Sequence, residues 1–182
     1  MTIDVGVTGS STLRLLVFQA LQQYSEEALL PMLEDSSSIV RTAVARELQL
    51  RGGERTLTRT VALLTSPKVS NREIAVFLLG QLGTPHFPFK QQTIPLIEGR
   101  LIEDQSEGVR EAAAAALGHQ ADAVSVPALL RAATDPSGSV RSAVAASLGR
   151  FRSDPQVASA LRLLAEDTDE AVRDWALHGL SD

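Results

Sequence analysis

Four aspartates each stand six residues ahead of an arginine: Asp35 and Arg41, Asp104 and Arg110, Asp135 and Arg141, Asp167 and Arg173. A carboxylate held beside a guanidinium can work as an acid–base pair, and a single such pair in a cleft would be a catalytic suggestion. Here the pair recurs along the chain, and two further arginines, Arg14 and Arg72, fall in the same register without the aspartate. A dyad that does chemistry is needed once. A pair present in nearly every unit serves the contact between units, with Asp accepting from turn amides and Arg lying over apolar stem to reach a carboxylate of its own or the next unit.

Other residue types that carry chemistry are sparse. His86, His119 and His178 are scattered, with no second His at three or four residues and no carboxylate cluster at metal-ligand spacing, so no metal site is expected. There is no cysteine, which removes disulfides, thiolate ligands and a thiol nucleophile. No Gly-x-Ser-x-Gly and no phosphate-cradling glycine loop occurs, and Gly52-Gly53 is followed by Glu54-Arg55 rather than Lys-Ser. No cofactor and no catalytic constellation are expected.

The elements that position these residues repeat. Asp-Pro-Ser-Gly-Ser-Val-Arg at 135–141 has counterparts at 104–110, 167–173 and 35–41, a degenerate copy at 66–72 with Asn71 in place of Val, and a half copy ending Leu13-Arg14. Seven residues after each Arg stands a leucine: Leu21, Leu48, Leu79, Leu117, Leu148 and Leu180. The Arg-to-Arg steps are 27, 31, 38, 31 and 32 residues, so one unit recurs about every thirty, with extra residues in the middle.

Each unit reads as two helices. The second starts about four residues before its Arg, where Ser10, Ser37, Ser106, Ser137 and Asp169 are good N-cap types and Lys68 a weak one. Apolar residues then follow a 3.6-residue period to the leucine, and Gly80, Gly118 and Gly149 just past it suit a left-handed helix end. The first helices include 126–133, opened by Pro127, and 157–165, opened near Pro155; Pro31 predicts a kink or a late start in 26–34. Thr2–Val7 is expected to be a loose terminus rather than a strand.

This pattern of paired short helices, an Asp turn and Val-Arg opening an Ala-rich second helix resembles HEAT repeats, in the short bacterial variety of the phycobilisome bilin lyases. The resemblance covers residues 8–182 and implies an all-α, right-handed α-solenoid of HEAT-like helix pairs. It divides into a half repeat at 8–24, repeats at about 25–53, 54–83, 91–120, 121–151 and 152–182, and an insertion at 84–90. Such families imply scaffolding and partner binding more often than chemistry. Uneven steps, the degenerate unit and Pro31 look natural rather than idealised.

Composition agrees. The 182 residues are 44% hydrophobic and 21% charged, as expected of a soluble compact array, and only 4% aromatic, so the core is built of Leu, Val, Ile and Ala. A net charge of −5 with no basic run counts against nucleic acid as a partner. No apolar stretch is long enough to span a bilayer, and no signal peptide is read before Arg14, so no membrane association and a cytoplasmic location are expected.

Second helices of such solenoids line the inner face, and positions +1, +5 and +8 from each Arg are expected to point outward there. Arg46, Glu73 and Phe77 are among them. Phe77 stands where other units have Arg, Ala or His, either as an exposed anchor or packed under the insertion. The insertion, Thr84 to Lys90, concentrates Pro, His86, Phe87, Phe89 and Lys90; it either presents stiffened aromatics to a partner or plugs a gap between units. Trp175 is expected to cover the end of the stack. The expected function is a protein-binding module, an adaptor, scaffold or inhibitor such as a toxin-neutralising immunity protein, taking its partner on the concave face. A bilin-lyase-like chaperone or enzyme subunit is the alternative, and a HEAT-like DNA-repair glycosylase the last.

Overall fold

The computed structural model describes residues 15–181, and over them the chain is helix and turn with no strand. Ser10, Arg14 and the Thr2–Val7 stretch lie outside the described residues. Helix α1 occupies residues 15–21, followed by α2 (Glu26–Leu29), α3 (Ser38–Arg51), α4 (Glu54–Leu63), α5 (Val69–Gln81) and α6 (Lys90–Glu103). The series continues with α7 (Glu107–Gln120), α8 (Val126–Ala132), α9 (Gly138–Leu148), α10 (Pro155–Leu164) and α11 (Glu170–Leu180). The fold is an α-solenoid. From α2 onward the helices pair, and α3, α5, α7, α9 and α11 stack side by side as one layer, with the first helices of the pairs forming the other.

The leucine register explains the core. Leu48, Leu79, Leu117 and Leu148 are fully buried and Leu21 nearly so, all within the one hydrophobic core of the stack. Leu180 is only partly buried, because no further unit packs on α11 among the described residues. Pro31 acts as expected: α2 stops at Leu29 and the chain tightens into a 3₁₀ turn, Leu30–Glu34. Pro95, by contrast, is accommodated inside α6.

The N-cap positions fall at Ser37, Ser106, Ser137, Lys68 and Asp169. Only Ser37 and Asp169 cap with their own side chains. In the turns the preceding aspartate does the work: Asp35, Asp104, Asp135 and Asp167 each accept from the amide two residues on, at 2.8 to 3.0 Å.

The glycines after the leucines correct the sequence reading. None is left-handed; Gly80 and Gly118 lie inside α5 and α7, and Gly149 has φ −51. They are small because the next second helix comes too close for a side chain. A Cβ on Gly80 would sit 2.5 Å from the Ala116 Cβ, one on Gly118 would collide with Ser147, and one on Gly149 would lie 2.9 Å from the Gly179 Cα. Position +8 therefore faces the neighbouring unit at Gly80 and Gly118, not solvent. The left-handed turns are at Gly83, Phe87 and Ala121.

Candidate functional site

The arginines form a ladder. In each described case Nη1 donates to the two carbonyls that open its own turn: Arg41 to Asp35 and Ser36, Arg72 to Ser66 and Pro67, Arg110 to Asp104 and Gln105. Arg141 and Arg173 do the same at Asp135–Pro136 and Asp167–Thr168. In Arg72, Arg110 and Arg141 the other edge of the guanidinium then grips the aspartate of the following unit, whereas Arg173, in α11, has no following unit to grip among the described residues. Arg72 donates Nε and Nη2 to Asp104 at 2.8 and 2.9 Å, and Arg141 to Asp167 at 2.7 and 2.8 Å. Such bidentate forks are the stronger kind of ion pair.

Electrostatics follow the geometry. Burial pushes the Asp104 and Asp135 carboxyls up, but the hydrogen bonds from Arg72 and Arg110, the turn amides and nearby positive charge outweigh it and hold both below the usual carboxylate range. Asp167 is brought down to about 2, chiefly by Arg141. These groups are locked as ion pairs and are not poised for proton transfer. The structural reading of the ladder stands.

One rung is missing. The unit after Arg41 carries Ser66 where an aspartate stands elsewhere, so Arg41 meets no carboxylate among the described residues. That contact is held by a different set: Glu34 accepts from Arg59 and, at 3.0 Å, from the side-chain amide of Asn71, a residue only 2% exposed that also donates to Ser66. Asn71 thus replaces the buried valine of other units with a satisfied polar group.

Two adjoining grooves run over this region, of about 740 and 420 Å³. The first is lined by Phe18, Ile39 and Phe77 together with Arg46, Gln49 and His119. The second is lined by Arg41, Glu73, Phe77 and Glu111. Phe77 borders both and is also packed against the core.

The seven residues singled out in the sequence are split into two groups. Arg46, Glu73 and Phe77 share the grooves. His86, Phe87, Phe89 and Lys90 line neither. His86 is exposed, Phe87 is half-buried with φ +45, and Phe89 packs on the core at the start of α6. Lys90 pairs with Asp122 at 3.0 Å, and the Val124 amide, then Lys90, hold that carboxyl below its ordinary value. Gly83 ties the loop to the end of α3 by donating to the Gln49 carbonyl at 2.8 Å. Groove-lining residues that the sequence reading did not single out are Arg41, marked in the sequence by the absent aspartate at 66, and His119, Phe18 and Ile39, which come from three different helices.

Trp175 covers the stack end only in part. It remains 47% exposed, edge-on to His178 at a centroid distance of 5.8 Å, with Leu177 exposed nearby in α11. No described helix is long and apolar enough to cross a membrane.

Comparison with known proteins gives the same architecture. Residues 94–181 match the family model for HEAT repeats. YibA of Escherichia coli (strain K12) is 24% identical, over 91% of this chain and 72% of its own length. In its crystal structure the match has a TM-score of 0.54 at 21% identity, covering 90% of this chain and 72% of that one. A structure of the complex of CpcE and CpcF of phycocyanin lyase from Nostoc sp. PCC7120 superposes with a TM-score of 0.69 and 19% identity, over 86% of this chain and 98% of that one. A designed armadillo repeat protein in complex with the peptide (KR)4 gives 0.61 and 15%, over 96% and 92%. At these identities the likeness is one of fold, and the HEAT-like repeat reading of the sequence holds.

Proposed function

We propose that this chain is a protein-binding module that receives a partner along the layer of second helices, the concave face, with Phe77 as the central anchor. The observation that carries the reading is that Phe77 alone among the ring residues borders both grooves. An aromatic side chain among mixed apolar and polar neighbours is a frequent make-up of a protein-contact hot spot. A repeat solenoid in complex with a peptide is among the structural neighbours, which supports the class of function. In this reading the chain acts by binding rather than by chemistry.

Within that class, we favour a cytoplasmic adaptor, scaffold or inhibitor, of which a toxin-neutralising immunity protein is the specific version. Its partner is another protein. The insertion residues His86, Phe87, Phe89 and Lys90 form a second, separate contact in this reading. The likeness to the phycocyanin lyase complex keeps a bilin-handling role as the second reading. Mixing the pure chain with phycocyanobilin decides that point, because the second reading requires a change in bilin absorbance.

The test is affinity capture from the native host with the full chain as bait, followed by titration of the captured protein. Phe77→Ala is expected to weaken binding tenfold or more, and Phe87→Ala by less. Equal affinity of wild type and Phe77→Ala overturns the reading.

A further inference from the structure

Arg41 is built like the ladder arginines but lacks what they hold. Its Nη1 donates to Asp35 O at 2.7 Å and Ser36 O at 3.0 Å, which is the grip that orients Arg72, Arg110 and Arg141. In those three the Nε and Nη2 edge closes on a carboxylate. At Arg41 that edge meets none among the described residues. Of the nearby acids, Glu34 is taken by Arg59 and Asn71 and the Asp35 carboxylate accepts from the Ser37 amide, while Glu73 lies over Gly108 at the start of α7 and makes no ion pair with Arg41. Ser66 keeps the turn without the charge, since its hydroxyl accepts from the Lys68 amide at 3.3 Å and from Asn71 at 3.0 Å. Arg41 also lines the second groove, as does Phe77.

From this geometry we infer that the Nε–Nη2 edge of Arg41 is a binding site for a carboxylate, supplied by an Asp or Glu side chain of the partner protein in place of the missing ladder aspartate. The inference rests on the reading of this face as the binding surface and names the chemistry of the segment it takes. A fork already fixed by two carbonyls loses little freedom when a planar carboxylate docks, which favours bidentate capture. Phe77, in the same groove, receives an apolar side chain next to that acid. Glu73 and Glu111 line the groove as well and repel a polyanion, so the occupant is a single carboxylate and not a run of phosphates.

The experiment is an NMR titration of the ¹⁵N-labelled full chain, reading the Arg41 Nε–H and the Phe77 amide. The probes are acetyl-Leu-Asp-Leu amide, its Asn counterpart and inorganic phosphate. The Asp peptide is expected to shift both signals, with the Asn peptide at least tenfold weaker at Arg41. In Ser66→Asp, which supplies the carboxylate within the chain, the Arg41 response should vanish while Phe77 still titrates. Equal Arg41 responses to the Asp and Asn peptides, a stronger response to phosphate, or an unchanged Asp-peptide response in Ser66→Asp would each overturn the inference. The wild-type peptide comparison decides it even if Ser66→Asp folds poorly. If Phe77 titrates and Arg41 does not, the carboxylate site fails and the groove reading survives; if Phe77 is silent with every probe, the groove reading fails with it.

Discussion

Arg110 and Asp135, 25 residues apart in the chain, face each other through two parallel hydrogen bonds, Nε to Oδ2 at 2.7 Å and Nη2 to Oδ1 at 3.0 Å. The same guanidinium holds the carbonyls of its own turn, so one side chain fixes a local loop and clamps the next repeat. Both partners are largely out of water, with side-chain exposures of 13% and 8%. Removing one leaves the other buried and unpaired.

Arg110→Ala and Arg141→Ala should therefore each lower stability by about 2–4 kcal/mol, read as a shift in the urea denaturation midpoint at neutral pH. Arg141→Ala should still capture the partner, because Arg141 lines neither groove. Lysine at either position keeps the charge but not the fork and should fall between. A loss under about 0.5 kcal/mol would remove the ladder as a stabilising device.

Acid should act through the same pairs. Asp167 has its carboxyl lowered from an ordinary 3.8 to about 2. Its contribution is complete above the unfolded value and is lost as pH falls through the folded one, so stability should drop between roughly pH 4 and 2. Asp104 and Asp135, also held low, add to that slope. Asp167→Asn should start less stable and show a shallower fall over that window in acid-titrated denaturation; an unchanged slope would detach Asp167 from the effect.

Glycine substitutions should have opposite signs at two sites. Gly118→Ala puts a methyl group into Ser147 of the next second helix and should lower the melting temperature, despite the better helix propensity of alanine. Gly99, in α6, has nothing within 4 Å of a built Cβ, and Gly99→Ala should gain up to about 1 kcal/mol. Parallel thermal melts compare the two, and equal effects would contradict close approach as the reason for Gly118.

Helix α4 has a glycine N-cap, Gly53, and borrows its cap from the preceding repeat. Glu26 accepts from the Thr56 hydroxyl at 2.6 Å, the Thr56 amide at 3.0 Å and the Gly53 amide at 3.4 Å. The Thr56 hydroxyl leads in holding this carboxyl below its usual value. Glu26→Ala should cost about 1–2 kcal/mol, and Gly53→Asp, with open space at its Cβ, should restore part of it. Failure of the rescue would mean Glu26 acts by some route other than capping.

The repeat was legible because each mark of it has a single physical use. A leucine seven residues after an arginine can only be core in a helix that starts where these do, and the Asp turn is short enough to be read locally. The glycines were not legible in the same way. Gly80 and Gly118 were read as helix ends, since a sequence does not distinguish a glycine that needs a left-handed φ from one that needs a near neighbour; only the Ala116 and Ser147 contacts decide it. Phe77 and Arg46 could be placed on a face from register alone. The rest of the groove lining could not, because Phe18, Ile39 and His119 come from α1, α3 and α7, and their meeting depends on how closely those helices stack.

The missing rung between Arg41 and Ser66 also sets how the array comes apart. In a solenoid, stability is a chain of nearest-neighbour couplings, and the weakest coupling marks where the chain frays first. Amide exchange should show α5 to α11 opening together, with α2 and α3 opening at lower free energy. A partner whose acid docks on Arg41 in α3 while its apolar side chain sits on Phe77 in α5 would staple that seam, so that binding at one groove tightens the amino-terminal end.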